Sequence, residues 1–222
     1  MRLIEALRAE IKATGFVFIE RFLPNHATEA VAATLGTVLN LGTSNPVHRL
    51  APRDQGQATP NTYSGNFGLE AFPFHTDLAH WRMPPRYFML RCIVGFAEVP
   101  TLLLDGRKLV EAVGRQELRH AIVRPRRRVK GELPLLRLCQ DRNGEDTIRW
   151  DSLFLVPASE AGKSAIARFA EAVAKATSLS FALSDPSDTL IVDNWRMLHA
   201  RAAIRKGCEG RLIERIYLGD LL

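Results

Sequence analysis

The fold of this chain is decided by two stretches, Phe74-His75-Thr76-Asp77 and the distant run Asp193-Asn194-Trp195-Arg196-Met197-Leu198-His199. On a β-strand, residues i and i+2 point to the same side, so His75 and Asp77 can face one ion while Thr76 points away. Two imidazoles and one carboxylate on one face of an octahedron form the triad that holds non-haem Fe(II) and leaves three positions open. The third ligand, His199, must then lie on a strand that is adjacent in space but distant in sequence.

A His-x-Asp pair alone is a weak signal, because most such pairs are an ordinary histidine beside a solvated carboxylate. The residues after His199 strengthen the metal interpretation. The run Arg211-Leu212-Ile213-Glu214-Arg215-Ile216-Tyr217-Leu218 alternates as a strand does, and its inner face carries Arg211, Ile213, Arg215 and Tyr217. Two arginines on the inner face of a strand beside a metal are costly unless they meet an anion. A dicarboxylate co-substrate would supply that anion.

These motifs resemble those of the taurine dioxygenase/clavaminate synthase-like branch of the Fe(II)/2-oxoglutarate-dependent oxygenases. Four segments carry the resemblance, in the family's order and at similar spacing, and together they span about two thirds of the chain. They are Phe74-His75-Thr76-Asp77, Thr101-Leu102-Leu103-Leu104-Asp105, residues 188–201 and the basic strand that starts at Arg211. The resemblance implies a mainly β fold with flanking helices, a double-stranded β-helix (a cupin-like jelly roll) that can enclose one small ligand.

The resemblance also implies the chemistry. His75, Asp77 and His199 would hold the iron and form the catalytic centre, while 2-oxoglutarate and O2 would take the open positions. The co-substrate would be converted to succinate and CO2 as an unactivated C–H bond of the substrate is hydroxylated. Arg211 is the candidate for the distal carboxylate of 2-oxoglutarate, since a guanidinium binds a carboxylate bidentately, and Thr101 would add one hydrogen bond.

Substrate contacts are expected from two places. Arg215 remains for a substrate anion such as a carboxylate or sulfonate, whereas Arg196 and Arg201, which flank His199, are expected to have supporting roles. Residues 42–68 are rich in Gly, Pro, Ser, Thr, Asn and Gln and are too long for a simple connector. A functional loop is favoured, with an ordinary polar surface loop as the alternative. In similar oxygenases the segment before the first iron ligand helps to form the substrate pocket, so the candidates are Asn61, Tyr63, Ser64 and Asn66.

Length and composition favour one domain over residues 1–222. A chain of 222 residues with 46% hydrophobic residues can bury a sizeable core, and β-barrel domains often reach this size. No stretch approaches the ~18 consecutive apolar residues of a membrane span, and the N-terminus lacks the apolar segment of a signal peptide. The cysteines Cys92, Cys139 and Cys208 are scattered and odd in number, which favours a reducing compartment, with the cytoplasm as the default.

The net charge of +6 is modest, and its densest cluster is Arg124-Pro125-Arg126-Arg127-Arg128-Val129-Lys130. Such a cluster can contact phosphates, but no aromatic residue is interleaved for base stacking. Two interpretations stay open, a solvated strand or loop and a dock for an acidic partner. The expected partner is a small-molecule substrate rather than nucleic acid or a membrane, and the sequence indicates no oligomeric state.

Hydrophobic periodicity predicts the flanking elements. The first helix is predicted from Leu3, Ile4, Leu7 and Ile11, followed by a strand over 15–19 and a helix over 27–39 with Asn25 as a possible cap. Strands are predicted over 87–93, 133–138, 148–156, 179–183 and 189–193, with a turn at 141–144. A helix that Asp105 can cap is predicted from Leu109, Val110, Val113 and Leu118. Another helix begins at Ser159, and its predicted buried stripe is Ile166, Phe169, Ala170 and Val173.

Three other functions compete with a small-molecule oxygenase. A non-catalytic barrel that serves as a binding module is disfavoured by the intact triad and by Arg211. A zinc hydrolase with the same ligands would leave Arg211, Arg215 and Thr101 without an anion. An oxygenase acting on a carrier-bound or macromolecular substrate would use residues 124–130 as its dock. Family precedent makes free amino acids or similar carboxylates the first expectation for the substrate.

Overall fold

Two antiparallel β-sheets form the centre of the fold, and helices cover them. A computed structural model describes residues 2–42, 44–142 and 144–222, with Arg2 described by its backbone alone. The helices are α1 (Arg2–Thr14), α2 (Thr28–Leu35), α3 (Tyr63–Phe67), α4 (Gly106–Val113), α5 (Arg115–His120) and α6 (Glu160–Lys175), and a short 3-10 turn covers Gln55–Gln57. The predicted class, mainly β with flanking helices, is confirmed.

Both main sheets join strands that are distant in the chain. The strands are β1 (Phe16–Ile19), β2 (Gly36–Val38), β3 (His48–Leu50), β4 (Phe72–His75), β5 (Tyr87–Val94), β6 (Thr101–Asp105), β7 (Ile122–Pro125), β8 (Leu136–Arg137), β9 (Cys139–Arg142), β10 (Glu145–Ile148), β11 (Leu155–Pro157), β12 (Leu179–Phe181), β13 (Thr189–Asp193), β14 (Met197–Arg201) and β15 (Leu212–Leu221). The larger sheet has the order β1-β13-β5-β15-β2, with β3 also paired to β15. The smaller sheet has the order β12-β6-β14-β4, and the ribbons β10-β9 and β11-β7-β8 lie apart from both.

The core between the sheets is apolar and also carries the motif residues. One buried cluster contains residues from both sheets: Phe88, Leu90, Leu103, Leu190, Met197 and Ile213. Strand β13 is buried along its whole length, as its continuous apolar run predicts. Met197 and His199 lie two residues apart on β14, so the face of this strand that packs in the core also carries the histidine. The inner faces of the sheets therefore hold the polar side chains of the site.

The helices bury their apolar stripes outside the central core. Helices α1 and α2 pack on the larger sheet in a cluster that includes Leu7, Ile11, Val31, Leu35, Ile191 and Ile216. Helices α4, α5 and α6 pack with the ribbons in a cluster that includes Leu109, Leu118, Val123, Ile148 and Phe169. The predicted first helix and the strands over 15–19, 87–93 and 189–193 are confirmed within a residue or two. No helix of the described residues is long and apolar enough to cross a membrane.

The second helix is shorter than its pattern predicts. It ends at Leu35 rather than near residue 39, because Gly36 begins β2, which pairs with the end of β15. The predicted cap is also wrong. Ala27 is the capping residue and makes no side-chain hydrogen bond, while Asn25 lies before it with a φ of 69°. The pairing with β15 is a long-range contact, which helical periodicity cannot report.

The predicted turn at 141–144 joins different strands from those expected. The hairpin consists of β9 and β10, which pair from Arg142 with Glu145 to Cys139 with Ile148. The predicted strands over 133–138 and 148–156 survive only as β8 and β11. Leu138 and Trp150 are buried but do not belong to a strand, so the apolar pattern there reflects burial in the core and not strand structure. Residue 143 of the predicted turn lies outside the described residues.

The predicted helix after Asp105 is two helices. Gly114, with a φ of 113°, separates α4 from α5, and this is a backbone conformation that favours glycine. Leu109, Val110, Val113 and Leu118 are all buried, as the stripe predicts. The Asp105 carboxylate accepts a hydrogen bond from the Arg107 amide at 3.0 Å, which confirms the predicted cap.

Helix α6 begins directly after Ser159, as predicted. The Ser159 hydroxyl accepts a hydrogen bond from the Gly162 amide at 2.9 Å and caps the helix. Phe169 is buried, and Ile166 and Val173 pack partly buried against the same cluster. Ala170 is exposed, so its place in the predicted stripe is wrong. The buried small residue is Ala165, one turn of the helix before Phe169.

Candidate metal centre

Strand pairing brings the two predicted histidines together. His75 ends β4 and is the cross-strand partner of His199 on β14, with ring centroids 4.2 Å apart. The Nε2 atoms of His75 and His199 each lie 3.6 Å from Oδ1 of Asp77. Ligand atoms of all three residues lie within 4.8 Å of one another, and all three side chains are buried. One ion bonded at about 2.1 Å to its ligands can bridge atoms up to about 4.2 Å apart, so the 3.6 Å separations fit a shared metal.

Asp77 is held in place by contacts that its strand position does not supply. Strand β4 ends at His75, and the Asp77 amide donates to Oδ1 of Asn194 at 2.7 Å. The Asn194 side chain donates in return to the carbonyl oxygens of Asp77 at 3.0 Å and Pro85 at 2.9 Å. Asn194 is buried, follows β13 and has no predicted role. The sequence feature that could have indicated this role is an amide side chain directly after a buried strand.

Both histidines can present a lone pair to a metal. Nδ1 of His75 lies 2.9 Å from the Pro73 carbonyl oxygen, so this nitrogen carries the proton and Nε2 faces Asp77 as the free acceptor. Burial, followed by the charge of His75, lowers the pKa of His199 to about 4. His199 is therefore neutral at pH 7, the state in which imidazole binds metals. Phe88 packs against the His199 ring with centroids 4.6 Å apart.

The carboxylate of Asp77 is ionised by its surroundings. Nη1 of Arg215 lies 3.0 Å from Oδ1 and 2.8 Å from Oδ2, and the Tyr217 hydroxyl donates to Oδ2 at 3.0 Å. Burial alone would raise the pKa of Asp77, but Arg215 and then His199 hold it well below its usual range. Oδ1 faces the histidines and also contacts Arg215, while Oδ2 is held by both Arg215 and Tyr217, so Oδ1 is the oxygen placed to bind a metal.

This ion pair changes the expectation for Arg215. The sequence assigns Arg215 to a substrate anion, and that contact stays a prediction. The structure gives the guanidinium a partner within the protein, Asp77, which already balances its charge. Arg215 points inward, as the alternation of its strand predicts. The anion that it pairs with is Asp77, which follows a strand of the other sheet.

The triad opens into a large cavity of about 940 Å³. The four residues predicted on the inner face of the basic strand, Arg211, Ile213, Arg215 and Tyr217, all line this cavity. Pockets of 300–1,000 Å³ typically enclose small-molecule ligands in proteins. The space beside the triad is therefore large enough for a co-substrate and a substrate together.

One side of the cavity is suited to an anion. Arg211 is only 5% exposed, and its Nε is buried without a hydrogen-bond partner among the described residues. Its guanidinium also forms no ion pair in this part of the chain, and burial lowers its pKa to about 10. The positive charge of Arg211 adds to burial in lowering the pKa of Arg201, whose cross-strand partner is Thr101. Buried cations without a counter-ion are costly, so an anionic ligand at this site would offset that cost.

Arg201 and Arg196 have supporting contacts, as expected. Nη2 of Arg201 donates to the carbonyl oxygens of Gly68 at 3.0 Å and Glu70 at 2.6 Å, and its guanidinium lies 3.7 Å from the centre of the Phe72 ring. Arg196 makes a two-point ion pair with Asp105, at 3.0 and 2.6 Å. These bonds fix the two ends of β14, and hence the position of His199 between them.

The four loop candidates, Asn61, Tyr63, Ser64 and Asn66, all line the cavity. Three of them lie in α3, the helix capped by the Thr62 hydroxyl, so the predicted loop is partly helical. The Tyr63 ring stacks on His75 with centroids 4.1 Å apart. The Asn66 side chain donates to the Thr62 carbonyl at 2.7 Å, which ties it to its own helix. Contact of the four with a substrate stays a prediction.

The basic cluster borders the same cavity. Arg126, Arg127 and Arg128 are exposed, follow β7 and line the cavity together with residues of the site. The Arg126 amide donates to the Phe154 carbonyl at 2.8 Å, which anchors the segment there. None of the three arginines forms an ion pair with another described residue. The cluster thus adds positive charge to the border of the cavity.

One residue of the cavity wall has no predicted role at all. Asp151 is 4% exposed and lines the cavity near Tyr63 and His75. Asp151 lies within residues 148–156, which the apolar pattern predicts to be a strand. That prediction gave no reason to consider Asp151 as a residue of the site. Asp77 and Asp151 are the two carboxylates that border the cavity within the described residues.

The chain matches known proteins over nearly its whole length. The model of the family described as taurine catabolism dioxygenase TauD, TfdA family matches residues 2–217. Asparagine oxygenase, solved with Fe(II), 3-hydroxyasparagine and succinate, is 16% identical with a TM-score of 0.71 over 98% of this chain and 78% of that one. PvcB from Pseudomonas aeruginosa is 15% identical, with a TM-score of 0.69 over 97% and 79%. The non-haem iron oxygenase OrfP, solved with Fe and alpha-ketoglutaric acid, is 16% identical, with a TM-score of 0.72 over 98% and 79%.

Proposed function

Because the chain belongs to the taurine catabolism dioxygenase TauD, TfdA family, we propose that it hydroxylates an unactivated C–H bond of a small amino-acid-like substrate. The chain is an Fe(II)- and 2-oxoglutarate-dependent dioxygenase. One observation carries the assignment of its site: a buried His75, Asp77 and His199 triad shares a cavity with Arg211, a buried cation without a counter-ion.

The residues of the triad fit Fe(II). Two imidazoles and one carboxylate are the donor set of the facial triad, and their ligand atoms lie within 4.8 Å of one another. We assign His75, Asp77 and His199 as the iron ligands and the catalytic centre. When bound, the iron supplies the activation of O2, with 2-oxoglutarate converted to succinate and CO2. Arg215 and Tyr217 orient Asp77, and Asn194 fixes its backbone.

The co-substrate would be oriented by the cationic side of the cavity. A dicarboxylate that reaches the triad with one end places its other carboxylate away from the metal, where a guanidinium can bind it with two parallel hydrogen bonds. Arg211 is buried and has its donors free for this task. Thr101 also lines the cavity, and its hydroxyl has no partner among the described residues, so it can add one hydrogen bond.

The substrate side of the proposal rests on the opposite wall. Asn61, Tyr63, Ser64 and Asn66 line the cavity next to His75 and supply both aromatic and hydrogen-bonding groups. Structures similar to this chain were solved with hydroxylated asparagine and with canavanine. A free amino acid or a similar carboxylate is therefore the first substrate class to test. Arg215 is already paired with Asp77, so it would contribute less to binding a substrate anion than an unpaired arginine would.

The proposal also covers the fold and the cellular compartment. We propose that the two main sheets are the halves of a double-stranded β-helix within a single domain over residues 1–222. This is supported by the shared core between the sheets and by the triad that β4 and β14 carry. Cys92, Cys139 and Cys208 are buried and free, which supports a reducing compartment such as the cytoplasm.

A second candidate is an oxygenase that acts on a carrier-bound substrate. Arg126, Arg127 and Arg128 border the cavity without ion-pair partners among the described residues and would meet an acidic carrier there. The cavity of about 940 Å³ lies near the upper end of the usual range for ligand pockets, which leaves room for a tethering arm.

The experiment that separates the two candidates is a succinate-release screen. Protein with Fe(II), ascorbate and 2-oxoglutarate is offered free amino acids, sulfonates and the same amino acids tethered to a carrier. The proposal predicts release above the substrate-free background with at least one free amino acid, and loss of release in Asp77→Ala. Release with tethered substrates alone would favour the second candidate, and no release above a protein-free control would contradict both.

A further inference from the structure

The cavity holds a buried carboxylate that has no cation beside it. Asp151 is 4% exposed and forms no ion pair with any residue that the structure describes. Arg149, two residues earlier, is also buried, but its Nη1 donates to the carbonyl oxygens of Ala79 at 2.6 Å and Trp81 at 2.7 Å. Burial raises the pKa of Asp151, which reflects the cost of keeping this charge away from water.

The local turn accounts for one of the two oxygens of Asp151. Oδ1 accepts hydrogen bonds from the amides of Leu153 at 2.9 Å and Phe154 at 2.8 Å, which closes the turn before β11. Oδ2 takes no part in the turn; the Tyr63 hydroxyl is the side-chain group that interacts with the carboxylate, and Asp151 lines the cavity. A carboxylate needed only for the turn would place its second oxygen in water or on a donor. The neutral Tyr63 hydroxyl leaves the negative charge of Asp151 unbalanced, so this oxygen can still accept from a charged donor in the cavity.

Two more polar groups beside Asp151 are incompletely paired. The Tyr63 hydroxyl is buried, and its one side-chain partner among the described residues is the Asp151 carboxylate, in less than ideal hydrogen-bond geometry. Burial, followed by the charge of Asp151, raises the pKa of Tyr63, so the hydroxyl stays protonated and lies near the carboxylate. Nδ1 of His80 is likewise buried without a partner, and Asp151 is the charge that acts most on this ring. Buried polar groups that are not fully paired are rare, so a carboxylate without a cation, a hydroxyl in poor geometry and an unpaired imidazole nitrogen in one place indicate a missing ligand.

The chemistry of that ligand follows from the charges and from the number of free atoms. Arg126, Arg127, Arg128, Arg201 and Arg211 give the rest of the cavity a positive charge, so an anion is bound elsewhere in it. Asp151 alone offers an uncompensated negative charge to a substrate. A guanidinium binds a carboxylate best through both oxygens, but Oδ1 is occupied by two amides. A single free oxygen matches an ammonium group, which donates from one point in three directions.

We propose that Asp151 and Tyr63 form a subsite for the protonated amine of the substrate, and the proposal rests on the proposed function. One N–H of the ammonium would donate to Oδ2 of Asp151 and a second to the hydroxyl oxygen of Tyr63. Because the Tyr63 ring stacks on His75, the amine would be held on the side of the metal centre that this ring covers. The substrate class is thereby narrowed to amines that also carry an anionic group for the arginines.

Analogues without the charged amine should bind poorly. A site built to pair with a donor rejects a ligand that lacks it, because the carboxylate is then buried without compensation. N-acetylated or 2-hydroxy counterparts of an amino acid that binds should therefore lose on the order of 100-fold or more in affinity.

The test uses the Asp151→Asn variant. Asparagine keeps an oxygen for the amides of Leu153 and Phe154, so the turn is retained while the charge is lost. The matched control is Asp141→Asn, the same exchange on the exposed hairpin of β9 and β10. Calorimetric titration of the metal-free protein with a panel of amino acids and their N-acetyl and 2-hydroxy counterparts gives affinities. The visible band of the anaerobic complex with Fe(II) and 2-oxoglutarate is recorded for each variant.

The proposal predicts that wild type and Asp141→Asn bind at least one amino acid, that Asp151→Asn binds it on the order of 100-fold more weakly, and that all three show the same band. Equal binding of the amino acid by Asp151→Asn, equal binding of its N-acetyl counterpart by wild type, or no binding across the panel would overturn the amine subsite. A missing band in wild type counts against the dioxygenase assignment, and the calorimetric comparison then still decides on the subsite by itself.

Discussion

Nη1 of Arg215 lies 2.8 Å from Oδ2 and 3.0 Å from Oδ1 of Asp77, and this pair joins the two main sheets at the metal centre. Arg215 belongs to β15 of the larger sheet, whereas Asp77 follows β4 of the smaller one. The carboxylate thus has a counter-charge before any metal arrives. The pair links the stability of the fold to the occupancy of the site.

Removal of Arg215 should destabilise the metal-free protein and be partly rescued by Fe(II). Arg215→Ala leaves Asp77 as a buried charge without compensation, which typically costs about 3–5 kcal/mol. Fe(II) would then neutralise the carboxylate, so the difference from wild type should shrink when iron is present. Urea unfolding under anaerobic conditions, with and without Fe(II), measures both quantities. Equal stability of the metal-free forms, or a gap that iron does not change, would contradict this account of the pair.

Loss of Arg211 should weaken the binding of 2-oxoglutarate far more than loss of an exposed arginine. Truncation of one partner of a buried charge-assisted pair costs about 2–5 kcal/mol, which is roughly 30-fold to several thousand-fold in affinity. Arg211→Ala is compared with Arg128→Ala, which removes an exposed guanidinium from the same cavity, by anaerobic titration of the iron-loaded protein. Similar dissociation constants for the two variants would remove Arg211 from its assigned role.

The two histidines of the triad should be required for iron, and His80 should not. His75→Ala or His199→Ala leaves two ligands, which is too few for tight binding of Fe(II). His80 also lines the cavity but lies outside the triad, so His80→Ala serves as the matched control. Metal analysis after gel filtration should find one equivalent of iron in wild type and His80→Ala, and none in the other two. Full occupancy in both triad variants would refute the ligand assignment.

Arg149 should stabilise the fold although it lies outside the proposed chemistry. Its guanidinium is buried and donates to the carbonyl oxygens of Ala79 and Trp81, in the loop that follows Asp77. Arg149→Met would leave these oxygens unpaired, at a cost of about 1–3 kcal/mol for each buried group. Arg127→Met, at an exposed position, should change stability by less than about 0.5 kcal/mol. Comparable melting temperatures for the two variants would argue against the structural role of Arg149.

The sequence predicts the elements of the site better than the contacts that hold them. The spacing of His75 and Asp77 indicates a shared ion, yet β4 ends at His75, and Asn194 holds Asp77 across 117 positions of the chain. Alternation along a strand predicts which face of the sheet a side chain lies on. It cannot predict a hydrogen-bond partner as distant in the chain as Asn194. The same limit applies to Arg215, whose inward direction follows from alternation while its anion comes from the other sheet.

Errors in the predicted elements also have physical causes. Helix α2 ends at Leu35 because β2 pairs with β15, a contact that local periodicity does not contain. The strand predicted over 148–156 fails because Trp150 is buried outside any ladder and a turn over residues 152–154 interrupts the segment. Asp151 lies directly before that turn, so the misread strand also concealed a cavity residue. A buried carboxylate has no periodic signature and becomes visible only when the partners of its oxygens are known.

The measurement that tests the central claim most directly is the absorption spectrum of the wild-type protein with Fe(II) and 2-oxoglutarate under anaerobic conditions. Chelation of a 2-oxo acid to Fe(II) produces a weak visible band, which neither component shows alone. We predict that the band appears only when both are present and that it is absent in Asp77→Ala, which lacks the carboxylate of the triad. Wild-type protein that binds iron and shows no band at saturating 2-oxoglutarate would contradict the assignment of this cavity as a dioxygenase site.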